Sequence, residues 1–345
     1  MATFLVRMIL LGFEDVDCVK KQLKGNARKS ACKASERRKM MKILVSDPIS
    51  EEAIRVLKQA RGVEVTYDPD TPSAALLQTV NQYDALIVRS RTKVTKEVIE
   101  AATKLKVIGR AGVGIDNIDG KIASEKKIKI INTPDALTNA VAEFTIGLMV
   151  DLSRQISKAD ASMRRGEWAK SSFHGVELKG RTYGTIGIGR IGQRVVEIAH
   201  SFGMKILAND IVPIPQQFLD KYEVEMTSQE QVFSRSDYVD LHVPLTPQTV
   251  HMINYDRLSK MKRSAYLINT SRGKVIDEDA LIRALNEGLI AGAALDVFEI
   301  EPPKSQELLK NSRIILTPHI AGQTEEAQAK AGLQVVEEVL KCLGQ

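Results

Sequence analysis

The sequence is poor in cysteine and has no long uninterrupted apolar run. Three cysteines in 345 residues are too few for a disulfide-stabilised scaffold or a four-thiolate metal site. The longest apolar stretches, residues 4–13 and 141–150, are interrupted by Arg7 and Glu143, whereas a membrane-spanning helix needs roughly 18 apolar residues without charge. These absences exclude a membrane-spanning protein and a disulfide-rich secreted domain, and they favour a reducing, cytoplasmic location.

The chain also lacks a general excess of basic charge, although its net charge is +6. Of its 49 Lys/Arg and 43 Asp/Glu, ten and four lie in residues 1–39, which leaves 39 of each sign in the remainder. We therefore expect no nucleic-acid partner for the body of the chain. Residues 1–40 are interpreted as a disordered or non-native extension, and the alternatives are organelle targeting or an arm that binds nucleic acid or another partner.

From Met41 onward, short apolar runs alternate with segments of helical periodicity. This alternation predicts an α/β fold with parallel sheets that helices cover on both faces. A long helical segment at 139–166 separates two series of strands, and the last helix, 325–343, is expected to pack back on the first series. The predicted strands are 42–46, 85–89, 106–109 and 128–131, then 182–187, 205–208, 238–243, 265–269, 292–296 and 314–316; helices are predicted at 50–59 and 95–102.

Gly187, Gly189 and Gly192 form a G-x-G-x-x-G pattern between a predicted strand and a predicted helix at 190–202. Such glycines allow a tight turn, close approach of a diphosphate and tight packing of helix on strand. Asp210 follows the last glycine by 18 residues, near the distance expected for the acid that binds the adenosine ribose. No arginine occurs in the next five residues, so we expect NAD rather than NADP; the alternatives are a plain glycine-rich turn and a turn aspartate.

Three polar residues at strand ends in the second half would suit a dehydrogenase. Oxidation of an alcohol beside a carboxylate needs a cation for the carboxylate, a base for the hydroxyl proton and a carboxylate that orients the base. Arg272, Glu301 and His319 offer these groups, and ligands of such sheets bind beyond the carboxyl ends of the strands. Taken singly, they could equally be a surface ion pair, a loop residue and a structural histidine.

The set of motifs along residues 41–345 resembles the D-isomer-specific 2-hydroxyacid dehydrogenase family. The resemblance implies that Arg272 binds the substrate carboxylate, that His319 is the acid/base and that Glu301 is its partner. It also implies a flavodoxin-like substrate domain, residues 41–139 plus 324–345, and a Rossmann NAD-binding domain, residues 140–323. The matching motifs are Val88-Arg89-Ser90 and the segments 109–117, 187–192, 269–273, 294–298 and 317–322.

Further site residues follow from the same resemblance. Asp296 is expected to contact the nicotinamide carboxamide, while Arg190, Ile191, Thr270 and Gly322 line the cofactor. Within the family the chain is most similar to the short members, without a C-terminal serine-sensing domain, that oxidise D-3-phosphoglycerate in the first step of L-serine biosynthesis. The residues expected to bind that phosphorylated substrate are Arg89, Ser90, Arg110, Gly112 and Lys170. The alternative for Arg89 and Arg110 is a structural ion-pair network.

Several observations keep other interpretations open. Val113, Val243 and Leu137 stand where some relatives have polar side chains, which weakens the substrate prediction more than the NAD prediction. A glyoxylate/hydroxypyruvate or other D-2-hydroxyacid reductase is the main alternative, and an NAD-sensing, co-repressor-like interaction protein is a distant one. The histidines show no metal-ligand spacing, so we expect no metal. Trp168 lies in a segment that relatives use as a dimerisation arm, which implies a homodimer or a dimer of dimers; the alternative for Trp168 is simple core or hinge packing.

Overall fold

The computed structural model describes residues 40–344. The chain forms two parallel β-sheets, of five and seven strands, with helices packed on their faces. The predicted α/β class with two parallel sheets is confirmed. The interpretation of residues 1–39 as an extension lies outside the described residues.

The first sheet has five strands in a doubly wound order. It consists of β1 (Met41–Val45), α1 (Glu51–Gln59), β2 (Val63–Tyr67), α2 (Ser73–Thr79), β3 (Ala85–Val88), α3 (Lys96–Ala101), β4 (Val107–Arg110), α4 (Gly120–Glu125) and β5 (Lys129–Asn132). The strand order is β2-β1-β3-β4-β5. All four residues of the central strand β3 are buried, because helices α2, α3 and α4 cover one face and α1 covers the other.

Two consecutive helices connect the sheets, α5 (Thr138–Arg154) and α6 (Ile156–Arg164). The sequence predicts one uninterrupted segment here. The structure breaks it at Gln155, whose left-handed backbone (φ +56°) ends α5 and changes the direction of the chain. Glutamine gives no sequence signal for such a break, since glycine and asparagine are the residues that usually adopt this conformation.

The second sheet has the strand order β12-β11-β10-β9-β6-β7-β8. It consists of β6 (Thr182–Ile186), α7 (Arg190–Ser201), β7 (Lys205–Asn209), α8 (Gln216–Lys221), β8 (Val224–Met226), α9 (Gln229–Arg235), β9 (Tyr238–Leu241), α10 (Tyr255–Ser259), β10 (Tyr266–Asn269), α11 (Glu278–Asn286), β11 (Gly292–Leu295), α12 (Gln306–Lys310) and β12 (Ile314–Leu316). Helices α5 and α7 cover one face of this sheet, and α9 to α12 cover the other.

The last helix, α13 (Glu325–Cys342), returns to the first sheet. Val335, Val336 and Val339 are fully buried there with residues of β1, β3 and β4. A β-carbon at Gly109 of β4 would lie only 2.7 Å from Val339, so the bare backbone of this glycine lets the helix approach. Among residues 40–344, no helix is long and apolar enough to cross a membrane, and no cluster of His, Cys, Asp and Glu could hold a metal ion.

Candidate active site

The carboxyl ends of both sheets face one cavity of about 780 Å³. Strands of a parallel sheet end at the same edge, so residues that follow different strands meet there. Twelve of the seventeen predicted site residues line this cavity together, from both sheets: Arg89, Ser90, Arg110, Gly189, Arg190, Ile191, Gly192, Thr270, Arg272, Glu301, His319 and Gly322.

His319 and Glu301 form the pair that the sequence predicts. The Nδ1 atom of His319 lies 2.9 Å from Oε2 and 3.1 Å from Oε1 of Glu301, which leaves Nε2 as the ring nitrogen that can meet a substrate. Burial raises the pKa of Glu301, but the hydrogen bond and charge of His319, with the charge of Lys93, outweigh it and hold the pKa below its ordinary value. The carboxylate is therefore ionised at neutral pH beside the imidazole.

Asp296 is fully buried beneath the loop that carries His319. Its Oδ1 accepts hydrogen bonds from the Thr317 hydroxyl (2.7 Å) and the Ile320 backbone N–H (2.8 Å), and its Oδ2 accepts one from the Ala321 N–H (2.8 Å). His319 itself has a left-handed backbone (φ +54°), a conformation that needs such support. The structure thus gives Asp296 a part in holding this loop, and its expected contact with nicotinamide stays a prediction.

Arg272 is held between the two sheets. Its Nε–H donates a hydrogen bond of 2.6 Å to Oδ2 of Asp116, which follows β4 of the first sheet, and its Nη1 donates one of 2.6 Å to the backbone carbonyl of Ser271. The Arg272 side chain is 26% exposed, so it is accessible from the cavity.

Arg110 and Arg89 add two further guanidinium groups to the same cavity. Burial and the charges of Arg272 and Arg89 lower the pKa of Arg110 to about 10. Among the described residues, the buried Nε of Arg110 has no hydrogen-bond partner. Arg89 donates through Nη2 to Oε1 of Gln323 at 3.2 Å, and burial lowers its pKa too. Such a cluster of partly uncompensated cations is a site for an anion.

The glycine-rich loop has the geometry that the sequence predicts. Gly187 has φ +91°, and a β-carbon there would lie 2.6 Å from the carbonyl oxygen of His242, so only glycine fits. At Gly192 a β-carbon would meet the carbonyl of Gly187, whereas at Gly189 it would meet nothing within 4 Å. Gly189 therefore opens to the cavity at the N-terminus of α7, where backbone N–H groups attract a diphosphate.

Asp210 follows β7 and lies next to this loop. Its Oδ2 accepts a hydrogen bond from the Ile188 N–H at 2.7 Å, and its Oδ1 accepts one from the Val212 N–H at 2.8 Å. The carboxylate is thereby fixed at the edge of the loop, where a ribose hydroxyl could donate to it. Arg190, at the start of α7, forms an ion pair with Asp135 from the other side of the cavity.

Some predicted residues lie away from the cavity wall. Lys170 belongs to a short 3-10 turn (Lys170–Ser172) that does not line the cavity, so the structure does not bring it to the other cations. Gly112 lies behind the Arg110 side chain, which fills the space a β-carbon at Gly112 would take. Like Asp296, Gly187 and Asp210 support the wall without lining it.

Four further residues line the cavity that the sequence did not identify as site residues: Asp116, Lys93, Gln323 and His242. Asp116 lies inside the matched segment 109–117, so its place in a motif was the one available signal. Lys93 and Gln323 come from loops whose position depends on the fold. The ring of His242 is buried beneath the glycine-rich loop, with Nε2 2.7 Å from Asp240.

Comparisons with known proteins agree with this geometry. The model of the NAD binding domain of D-isomer specific 2-hydroxyacid dehydrogenases matches residues 146–321. D-3-phosphoglycerate dehydrogenase of Methanocaldococcus jannaschii is 49% identical over 88% of this chain, but the chain spans only 58% of that relative's length. Hydroxypyruvate reductase of Thermotoga maritima is 42% identical, and the match covers 88% of this chain and 98% of the relative.

A solved structure has the same fold. The crystal structure of a glyoxylate reductase from Paecilomyes thermophila superposes with a TM-score of 0.81, at 32% identity, over 88% of this chain and 96% of that one. The family model covers half of the chain, and the Thermotoga relative is matched over nearly its whole length. The chain therefore belongs to the D-isomer specific 2-hydroxyacid dehydrogenase family.

Proposed function

We propose that this protein oxidises D-3-phosphoglycerate to 3-phosphohydroxypyruvate with NAD, the first step of L-serine biosynthesis. The observation that carries the proposal is the half-buried Arg110 beside Arg89 and Arg272, whose buried Nε has no hydrogen-bond partner among the described residues. A monocarboxylic acid would occupy one of these guanidinium groups, whereas a substrate with a carboxylate and a phosphate would engage all three. The name of the Methanocaldococcus relative supports the same substrate.

In this proposal each end of the substrate has its own arginine. Arg272 holds the carboxylate, and Arg89, Arg110 and Ser90 hold the phosphate. Lys93, which lines the cavity, supplies the additional cation that Lys170 does not. With both ends fixed, the 2-hydroxyl group lies between the two domains, within reach of His319.

His319 is the proposed base. Its Nε2 takes the proton of the 2-hydroxyl group, and Glu301, bound to Nδ1, stabilises the imidazolium that results. NAD, held at the N-terminus of α7 and by Asp210, would supply the acceptor for the hydride that leaves C2. Loss of the hydride from C2 and of the proton from the 2-hydroxyl oxygen leaves a C=O double bond, and the proton passes from His319 to solvent. In the direction of reduction, His319 donates the proton instead.

The residues of the second sheet fit NAD. Gly189 leaves open space at the N-terminus of α7 for the diphosphate, and Asp210 would accept hydrogen bonds from the ribose hydroxyls and repel a 2′-phosphate. Arg190, Ile191, Thr270 and Gly322 line the path from this loop to His319. We therefore propose that NAD binds at least tenfold more tightly than NADP.

Two further proposals concern organisation. The packing of α13 on the first sheet and of α5 on the second supports the division into a substrate domain, 41–139 plus 324–345, and a NAD domain, 140–323. Trp168 is 80% exposed, and Ile156 and Met163 of α6 are also exposed. These apolar side chains support a homodimer through the segment that contains them, which the mass of the protein in solution would test. The cytoplasmic location stays a proposal that rests on the low cysteine content of the sequence.

The second candidate function is reduction of hydroxypyruvate or glyoxylate. The match to nearly the whole length of the Thermotoga hydroxypyruvate reductase favours it. This function needs Arg272, Glu301 and His319 but not the phosphate-binding arginines. The two candidates therefore differ in whether removal of the substrate phosphate removes activity.

The test measures NADH formation with D-3-phosphoglycerate, D-glycerate and D-lactate at alkaline pH with a carbonyl trap. We expect turnover with the phosphorylated acid alone, and a loss of about 10²- to 10⁴-fold in kcat in His319→Ala with NADH binding retained. Equal activity with all three acids would move the protein to the reductase function. NAD binding without turnover of any acid would point to the interaction-protein alternative.

A further inference from the structure

The ion pair between Arg272 and Asp116 joins the two sheets at the substrate cavity. Asp116 lies in the loop that follows β4 of the first sheet, and Arg272 follows β10 of the second. Nε of Arg272 is 2.6 Å from Oδ2 of Asp116. Asp116 of the first sheet thus holds Arg272 of the second sheet, and Arg272 is the side chain proposed to bind the substrate carboxylate.

The hydrogen bonds of Arg272 leave one edge of its guanidinium group available. The group has five N–H donors and can bind a carboxylate either through Nε and one terminal nitrogen or through both terminal nitrogens. Asp116 takes the Nε–H, and the carbonyl of Ser271 takes one N–H of Nη1. Three N–H groups therefore remain on the two terminal nitrogens, Nη1 and Nη2. This pair of nitrogens can bind a carboxylate end-on.

The absence of a side chain at Gly114 belongs to the same arrangement. A β-carbon at Gly114 would collide with Nη2 of Arg272 and would lie 2.6 Å from Oδ2 of Asp116. The segment that contains both residues therefore supplies the acceptor for Nε and the space for the rest of the guanidinium group.

We propose that Asp116 is a positioning residue, which holds Arg272 so that its two terminal nitrogens meet the substrate carboxylate. This inference rests on the proposed role of Arg272 in substrate binding. Asp116 does not compete with the substrate in this arrangement, because it occupies Nε and leaves the terminal pair free. Because this ion pair joins the two sheets, binding of the carboxylate also depends on the distance between the two domains.

The test compares Asp116→Ala and Asp116→Asn with Asp119→Asn. Asp119 begins α4 by accepting a hydrogen bond from the Ile122 N–H at 3.1 Å, and asparagine can keep that bond, so this control removes a nearby charge without touching Arg272. We expect kcat/KM to fall about 10- to 100-fold in Asp116→Ala, mainly through KM, because the carboxylate is bound in ground and transition states alike. The kcat/KM of Asp116→Asn, which keeps an acceptor oxygen, should lie between those of Asp116→Ala and wild type.

Binding measurements separate positioning from general damage. The affinity of oxamate in the NADH complex should fall with kcat/KM in Asp116→Ala, whereas the affinities of NADH and of inorganic phosphate, which relies on Arg89 and Arg110, should stay within about twofold. In an Arg272→Lys background, Asp116→Ala should weaken oxamate by less than about twofold, because the side chain it positions has already been changed.

Three results would overturn the inference. The first is a kcat/KM of Asp116→Ala equal to that of wild type, and the second is tighter binding of oxamate in that variant. The third is full additivity of the effects of Asp116→Ala and Arg272→Lys on oxamate affinity. A wild-type protein that binds neither 2-hydroxy acids nor oxamate would overturn the proposed function together with this inference. A wild type that binds them while Asp116→Ala behaves like Asp119→Asn would overturn the inference alone.

Discussion

Arg110 is a cation in a place that favours neutral groups. Burial and two neighbouring arginines lower its pKa to about 10, and its Nε has no partner among residues 40–344. At neutral pH the side chain is still protonated, so the unliganded protein carries a charge that burial destabilises. A binding site often keeps such a group because the ligand supplies the missing partner.

Arg110→Met should therefore make the protein more stable and less able to bind phosphate. We expect the melting temperature without ligand to rise by ~2–4 °C, equivalent to about 1 kcal/mol, because an unpaired buried charge is replaced by an apolar chain of similar length. Inorganic phosphate should raise the melting temperature of wild type but not of the variant. Arg91→Met is the control, since Arg91 already pairs with Asp47 and Asp70 and its removal should give no such rise. A variant that melts lower than wild type would contradict this account.

Glu301 predicts a dependence of stability on pH. Its pKa is lowered from the ordinary 4.5, so the ionised carboxylate stabilises the folded protein above that range and the contribution is lost as pH falls through the lowered pKa. The main cause of the lowering is the hydrogen bond that His319 makes with this carboxylate. Wild type should melt above Glu301→Gln at pH 5.5, and thermal scans should show the difference shrinking toward pH 3.5. A constant difference across this range would contradict the pairing.

At the scale of elements, the turn from β6 to α7 combines two kinds of glycine. Gly187 and Gly192 are required by the packing of the protein itself, whereas Gly189 has an ordinary extended backbone (φ −71°) and no neighbour within 4 Å of a β-carbon. The protein fold alone does not require glycine at position 189. A glycine at this position leaves space for a ligand that approaches the N-terminus of α7.

Gly189→Ala should fold normally and bind NAD poorly. We expect the melting temperature to change by less than ~1 °C and the NADH affinity to fall at least tenfold, as measured by fluorescence titration, because the methyl group enters the space for the diphosphate. Gly147→Ala, on the exposed side of α5, is the matched control and should leave NADH binding unchanged while stabilising the helix by about 0.5–1 kcal/mol. Normal NADH affinity in Gly189→Ala would place the diphosphate elsewhere.

The elements that the sequence predicted well are those buried on both faces. β3 (ALIV) is a continuous apolar run and β9 (YVDL) is buried throughout, with Asp240 as its one charged residue, because helices cover both sides of their sheets. β2 (VEVTY) and β8 (VEM) are edge strands with partly exposed residues, so their patterns are too polar or too short to stand out. The break at Gln155 was missed because its left-handed backbone is imposed by packing rather than by residue type.

At the scale of the whole molecule, α13 completes the first sheet from the far end of the chain. Gly109 of β4 is the point of closest approach, with β-carbon positions 2.7 and 2.8 Å from Val339 and Val335. Any side chain there must push the helix away from the sheet. The packing of the first sheet therefore depends on residues that are separated by most of the sequence.

Gly109→Ala should destabilise the protein by about 1–3 kcal/mol, the usual penalty for overpacking a buried contact. Urea unfolding followed by circular dichroism measures the loss. Gly120→Ala is the control, because a β-carbon at the first residue of α4 meets only Ile130 at 3.9 Å, and it should change stability by less than ~0.5 kcal/mol. Equal stability of the two variants would show that α13 can move away from β4 without a loss in the free energy of unfolding.

The sequence by itself determined the α/β class, the glycine-rich turn and the candidate residues at strand ends, because these depend on local periodicity and on motifs of a few consecutive residues. Only the tertiary structure decided which side chains meet. It brought Asp116 to Arg272 and Lys93 toward Glu301, and it left Lys170 outside the cavity. These contacts join loops that follow strands of different sheets. The relative position of such loops follows from the packing of sheets and helices and leaves no local pattern in the chain.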